Sequence, residues 1–176
     1  LPSFMVGSLK RAERERERER ETPFLVDTQK VRECTVMFSD ASDNYGAYIF
    51  SSSKNCFWGR QGPLCSSEHI FLKELRMALD CLYTFSKAST EQTALLFIDN
   101  VAVLFALRKG HSGNMIADGW LRQFYRCMSP SFKFFVAHVS SEENIADKFS
   151  RRVPFYDPDG KSNLLWIAPR SMMVRG

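Results

Sequence analysis

Little in this 176-residue chain points to a membrane, a disulfide scaffold or a zinc site. No segment approaches the roughly 20 consecutive apolar residues that a membrane span needs, and the opening Leu1-Pro-Ser-Phe4 lacks the order of a signal peptide. The missing initiator Met reads as a fragment of something longer. Cysteines number five, and Cys34, Cys56, Cys65, Cys81 and Cys127 form no Cys-x-x-Cys pair, which argues against a disulfide framework and against a metal knuckle. Such a set fits a reducing intracellular compartment, cytoplasm or nucleus. Charge of one sign is scarce too: 24 basic against 20 acidic residues leave +4, which permits a nucleic-acid partner without requiring one. Adjacent aspartates of the polymerase kind are absent, since Tyr156-Asp-Pro-Asp159 separates its acids.

What is present is enough for one packed domain with an extension, at 44% hydrophobic and 13% aromatic residues. Residues 1–30 read as a linker, because Lys10 to Glu21 alternate Arg and Glu with no apolar stripe to bury. A nucleic-acid arm is the sharper reading of that block, but the interleaved Glu residues cancel most attraction to phosphate. The domain itself is expected over 31–152, with an irregular tail over 153–176 in which Leu164, Leu165 and Trp166 are placed to dock.

Within the domain, strands are predicted at Cys34 to Asp40, Tyr45 to Ser51 and Asn55 to Arg60, with connections short enough for antiparallel hairpins. After a loop around Gly62-Pro63, Ser66-Ser67 precede a helical stripe of Phe71, Leu75, Ala78 and Leu82, with a serine as N-cap. A strand over Thr93 to Asp99 follows, then helices over Val101 to Arg108, stopped at Gly110, and Met115 to Met128. Phe132 to Val139 is a fifth strand, and a short helix starts near Asn144. That order predicts an α/β fold: a mixed five-stranded sheet, three strands antiparallel and then two parallel, with helices on both faces.

Four acids stand out by position. Asp40 and Asp99 each close an apolar strand, where a side chain can be partly solvated, and α/β sheets bind ligands at the carboxyl ends of their central strands. Each also has an ordinary role open to it: Asp40 in the turn Asp40-Ala-Ser-Asp43, Asp99 beside a capping Asn100. Glu74 lies about 60° from Phe71 on the margin of the helical stripe, so its carboxylate points toward the sheet. Its neighbour Glu68 is explained by the dipole of the first turn. Asp147 stands three residues after Asn144, as the acid of a capping box would. Together the four offer the hard oxygen ligands that Mg2+ takes.

Phe38-Ser-Asp40-Ala-Ser42 with Gly46-Ala47, Glu74-Leu75 within a helix, Ile98-Asp99-Asn100, and Asn144-Ile-Ala-Asp147-Lys-Phe-Ser-Arg151 resemble, over Glu33 to Arg152, the ribonuclease H domain of retroelement reverse transcriptases. The last motif, of the form Asn-x-Ala-Asp-x-x-Ser-Arg, is the most specific, and with Asp-Ala-Ser it is similar to long-terminal-repeat-like and tyrosine-recombinase (DIRS-like) elements. The resemblance implies a ribonuclease H-like fold and an endonuclease that hydrolyses the RNA strand of RNA/DNA hybrids. It makes Asp40, Glu74, Asp99 and Asp147 the catalytic ligands of two Mg2+ ions, with Mn2+ as substitute, and Asp40 the ligand shared by both. It also implies an adjacent reverse transcriptase domain in a longer polyprotein, with a virus-like particle as one possible setting.

Relatives carry a mobile histidine between the last strand and helix. Here His138 falls within the strand, which limits its reach and makes it structural. For the nucleic acid, Lys109, Ser112 and Asn114 in the turn Lys109-Gly-His-Ser-Gly-Asn114 offer a cation and donors at a helix end, against the plainer reading of a Gly-terminated cap. Arg122 and Arg126, one turn apart, would extend a basic track. Trp58, Trp120 and Tyr125 are equally suited to stacking on nucleotides or to packing. Three other readings compete. A DDE integrase would use Glu142 or Glu143 and strand Glu74 and Asp147 without roles; a proofreading exonuclease would want an acid where Ser42 stands; and a silent scaffold or binding module would be expected to have lost carboxylates.

Overall fold

The computed structural model describes residues 35–52, 56–88 and 93–164. The linker expected over 1–30 and the end of the tail, with Leu165 and Trp166, lie outside the described residues.

Five strands form one sheet in the order β3-β2-β1-β4-β5: β1 (Thr35–Ala41), β2 (Tyr45–Ser52), β3 (Cys56–Pro63), β4 (Thr93–Ile98) and β5 (Lys133–His138). The β1–β2 and β2–β3 pairs are antiparallel, and β1–β4 and β4–β5 are parallel. This is the mixed sheet the sequence predicts. β3 runs three residues further than expected, through Gly62-Pro63, because Gly62 pairs with Gly46 and Pro63 with Tyr45. An edge strand tolerates this proline, which has no N–H to donate to the ladder.

The sheet divides its side chains by period two. Met37, Tyr48, Phe50, Leu96, Ile98 and Val136 face three helices: α1 (Ile70–Ala88), α2 (Val101–Lys109) and α3 (Met115–Cys127). Val36, Phe38, Leu95 and Phe97 lie on the other face with Ala146 at the start of α4 (Ala146–Ser150), while Ala47 and Ile49 meet its Phe149. Among the described residues, helices thus cover both faces, three against one.

α1 outlasts the predicted stripe because Phe85, 1% exposed, continues it beyond Leu82. Its start differs as well. His69 Nδ1, not a serine, accepts the N–H of Phe71 at 3.2 Å, and Glu68 precedes the helix and pairs with Arg76 at 2.7 Å. The dipole explanation for Glu68 is replaced by an ion pair. α2 begins as expected on an asparagine cap, Asn100 accepting from Val103 N–H, and α3 begins on a second one that the sequence reading did not assign, Asn114 accepting from Ile116 and Ala117 N–H. Gly110, at φ 78°, ends α2 in the left-handed conformation that glycine adopts without strain.

The tail is ordered as far as it is described. Gln61 Nε2 donates to the Val153 carbonyl at 2.8 Å, and Gln61 Oε1 accepts from the Phe155 N–H at 3.1 Å. The Phe155 ring lies 4.7 Å from that of Phe149 and close over Gly59, where a Cβ would come within 2.8 Å of it. Leu164 packs on the same cluster. This half-buried aromatic clamps β3 to α4, so Phe155→Ala is expected to cost about 2 kcal/mol, read as a lower urea midpoint at unchanged slope.

Candidate active site

Asp40 and Asp99 are brought together by strand register. Phe38 pairs with Phe97 across the parallel β1–β4 ladder, their rings stacked 5.2 Å apart, and each acid lies two residues further along on the same face. Asp147 comes from the first turn of α4. Each of Asp40, Asp99 and Asp147 offers one carboxylate oxygen, and these lie within 4.8 Å of one another. Glu74 is outside that trio but adjoins it, since its side chain hydrogen-bonds that of Asp40 and it also accepts from the Ala41 N–H. All four predicted acids therefore meet at the carboxyl end of β1.

Their electrostatics follow from crowding. Burial pushes the Glu74 carboxyl well above its ordinary value, and the charges of Asp40 and Asp99 push it further. Burial raises Asp40 too, the Ser150 hydroxyl draws it back, and Asp99 and Asp147 add to the rise. Both residues are nearly closed to solvent, Asp40 4% and Glu74 6% exposed, so both carboxyls hold a proton more readily than ordinary acids do. A cluster of hard oxygen donors that retains a proton against its own repulsion suits divalent cations, which would displace it.

Asp147 is not a capping-box acid. The Asn144 N–H donates to the Ser140 carbonyl, while the Asp147 carboxylate accepts from Arg151 Nε at 3.2 Å. Asn144 is instead an anchor: 3% exposed, it donates from Nδ2 to the Ser39 carbonyl and accepts from Ala146 N–H, each at 3.1 Å. Two more residues matter that sequence reasoning did not single out. Ser150 Oγ donates to Asp40 Oδ2 at 2.6 Å. Lys73, 3% exposed, ties the β1–β2 turn to α1 through the carbonyls of Asp43 and Ser66. The only sequence signal for Ser150 was its place in the last motif, and Lys73 carried none.

His138 is exposed at the end of β5, where it pairs with Ile98. It alternates with Phe134 and Val136, on the sheet face opposite Asp99. Its strand position holds, and it stands apart from the acids.

The substrate-handling residues fare unevenly. A groove of about 400 Å³ is lined by Phe71, Ala102, Phe105, Lys109, Ser112 and Asn114 among others. It starts one helical turn from Glu74 and three residues from Asp99. Lys109 is exposed, with Nζ over the Phe105 ring at 5.4 Å, and Arg122 and Arg126 are exposed on α3. Ser112 is already engaged: its N–H and Oγ donate to Asp118 Oδ1 at 2.6 and 2.9 Å, and the Gly113 N–H donates to Oδ2. Asn114 is taken by the cap of α3. A phosphate cradle formed by Ser112 and Asn114 would have to displace an internal carboxylate and a helix cap. The aromatics also have partners within the fold, although Trp58 stays 42% exposed. Trp58 stacks on Phe50 at 5.2 Å, Trp120 lies under Arg76, and Tyr125 donates its hydroxyl to the Leu107 carbonyl.

No family model and no curated protein matches the chain. Solved structures do. RNase H1 from the halophilic archaeon Halobacterium salinarum NRC-1 superposes with a TM-score of 0.53 at 15% identity, covering 65% of this chain and 92% of that one. LC11-RNase H1, in a structure in complex with an RNA/DNA hybrid, gives 0.55 at 10% identity, covering 68% of this chain and 95% of that one. The chain has the ribonuclease H-like fold.

Proposed function

We propose that the protein is an endonuclease that hydrolyses the RNA strand of RNA/DNA hybrids. The convergence of Asp40, Asp99 and Asp147, with Glu74 beside them, at the carboxyl end of the central strands carries this reading. The fold shared with two RNase H1 structures, one holding an RNA/DNA hybrid, supports it. The integrase alternative has no comparable support, because it would leave Glu74 and Asp147, both at the site, without a role.

In this proposal Asp40, Glu74, Asp99 and Asp147 hold two divalent cations, Mg2+ or Mn2+. Bound there, the cations would supply Lewis-acid activation of a water and charge stabilisation for the leaving 3′ oxygen of an in-line displacement at phosphorus. The chain's own part is to keep the carboxylates converged over the stacked Phe38 and Phe97, to release the proton that the buried carboxyls favour holding, and to exclude bulk water from Asp40. Exposed Lys109, Arg122 and Arg126 would meet phosphates beside the groove, and choice of RNA would rest on contact with 2′-hydroxyls.

The motifs that resemble retroelement ribonuclease H domains support a setting beside a reverse transcriptase domain in a longer polyprotein. Free thiols at Cys65, Cys81 and Cys127 support a reducing intracellular compartment. Among the described residues no helix is long and apolar enough to cross a membrane.

A hybrid labelled on its RNA strand tests the activity. Mg2+ should give cut RNA with the DNA strand intact, EDTA should abolish the cutting, and a DNA duplex of the same sequence should survive. Hybrid bound but uncut with either Mg2+ or Mn2+ would instead identify a binding module.

A further inference from the structure

Ser150 ends α4 in a position 1% exposed to solvent, where alanine would be as small and a better helix former. A serine there uses its hydroxyl. Its Oγ lies 2.6 Å from Asp40 Oδ2, on a strand 110 residues away, and 2.7 Å from the carbonyl of Asp147, one turn back in its own helix. A hydroxyl has one proton to give. The bond to the carbonyl is the local back-bond that helical serines make anywhere, whereas a bond to a carboxylate is charge-assisted and roughly twice as strong. The proton therefore goes to Asp40.

The effect on Asp40 is geometric. The last torsion of an aspartate is soft and roughly two-fold, so the plane of an unsupported carboxylate swings easily. A cation needs that plane fixed, because oxygen ligands must sit at set distances and directions. The Ser150 carbonyl also accepts from Ser42 Oγ at 2.7 Å, a bond that ties the end of α4 to the turn after β1 without orienting the Ser150 hydroxyl. Phe149, wholly buried beside it, prevents the helix end from turning away.

We infer that Ser150 is a positioning residue that fixes the plane of the Asp40 carboxylate for capture of a divalent cation, an inference that rests on the proposed reading of the acid cluster. It touches neither substrate nor reacting atoms.

The test compares the whole chain with Ser150→Ala, Ser150→Cys and Ser42→Ala by calorimetric titration with Mn2+, by melting without metal, and by hybrid cleavage. Loss of the outer hydrogen bond should weaken Mn2+ binding in Ser150→Ala about 10- to 100-fold. Ser150→Cys, which fills the space with a weak donor, should lose affinity in the same direction and carries the test if the alanine variant does not fold. Ser42→Ala removes an anchor of the same helix without touching the carboxylate. It should lower the metal-free melting temperature and leave Mn2+ affinity within about twofold of the parent. Parental Mn2+ affinity in both Ser150 variants, with parental cleavage, overturns the inference alone, as does an equal loss in Ser42→Ala. A parent that neither binds Mn2+ nor cuts the hybrid overturns the cation reading of the cluster, and this inference with it.

Discussion

Asp40→Asn is expected to remove hybrid cleavage by a factor of about a thousand or more while raising the melting temperature of the metal-free chain. The first effect follows from the central place of this carboxylate among the four acids. Charge stabilisation at such a centre amounts to several kcal/mol, at about 1.4 kcal/mol per decade of rate. The second follows from burial. Asp40 is 4% exposed beside Asp99, Asp147 and Glu74, so its charge is held against desolvation and repulsion, and a neutral amide of the same shape relieves both. Ser150 can still donate to the remaining oxygen. Cleavage rates and metal-free melting curves, taken on one preparation, check the pair of effects. Parental cleavage by the variant would remove Asp40 from the mechanism, and a lower melting temperature would show that its charge is not a burden to the fold.

Metal should reverse the pH dependence of stability. The carboxyls of Glu74 and Asp40 hold their protons above their ordinary values of 4.5 and 3.8 because burial disfavours the charged forms. An acid whose folded value is raised contributes stability that is fully present below its unfolded value and is lost as pH rises toward the folded one. For these two groups the metal-free chain is therefore at its best below about pH 4 and loses stability steadily through neutrality. A cation binds the deprotonated cluster, so its stabilisation grows with pH over the same interval. With Mg2+ about a hundredfold above its dissociation constant the gain is about 2.7 kcal/mol, roughly 5–10 °C for a chain of this size. Melting from pH 4 to 8, with Mg2+ and with EDTA, should give curves that diverge as pH rises. Parallel curves would contradict a cation site at these acids.

The elements were legible where the code is local. Strands β1 and β4 are continuous apolar runs, and the acid that ends each is visible without knowing its neighbour. The phase of Glu74 on α1 and the asparagine cap at position 100 are equally local. Partners set by tertiary contact were not legible. Ser150 and Asp40 are 110 residues apart, and Gln61 and Phe155 are 94 apart, so no window of sequence joins them. Glu68 and Ser112 differ, since their partners Arg76 and Asp118 lie only eight and six residues on; there the missing information was where the helix starts and how the turn folds back. The extension of β3 through Pro63 depended on its partner, because only pairing with β2 overrides the turn signal of Gly62-Pro63. Lys73 was not legible either: a buried lysine satisfied by backbone carbonyls looks, in sequence, like any solvated one.

Helix α4 has five residues, too few to persist unaided, since even favourable isolated helices need about 12–15 residues to be marginal in water. Asn144, Ser42 and the Phe149–Phe155 contact hold it in place from outside. In chain order the described strands and the three larger helices all precede Asp147, whose position depends on those outside contacts. The acid cluster closes only when the segment through Leu164 has been made and docked, so, if it cuts RNA as proposed, an unfinished copy would carry no competent cutting centre near the RNA that encodes it.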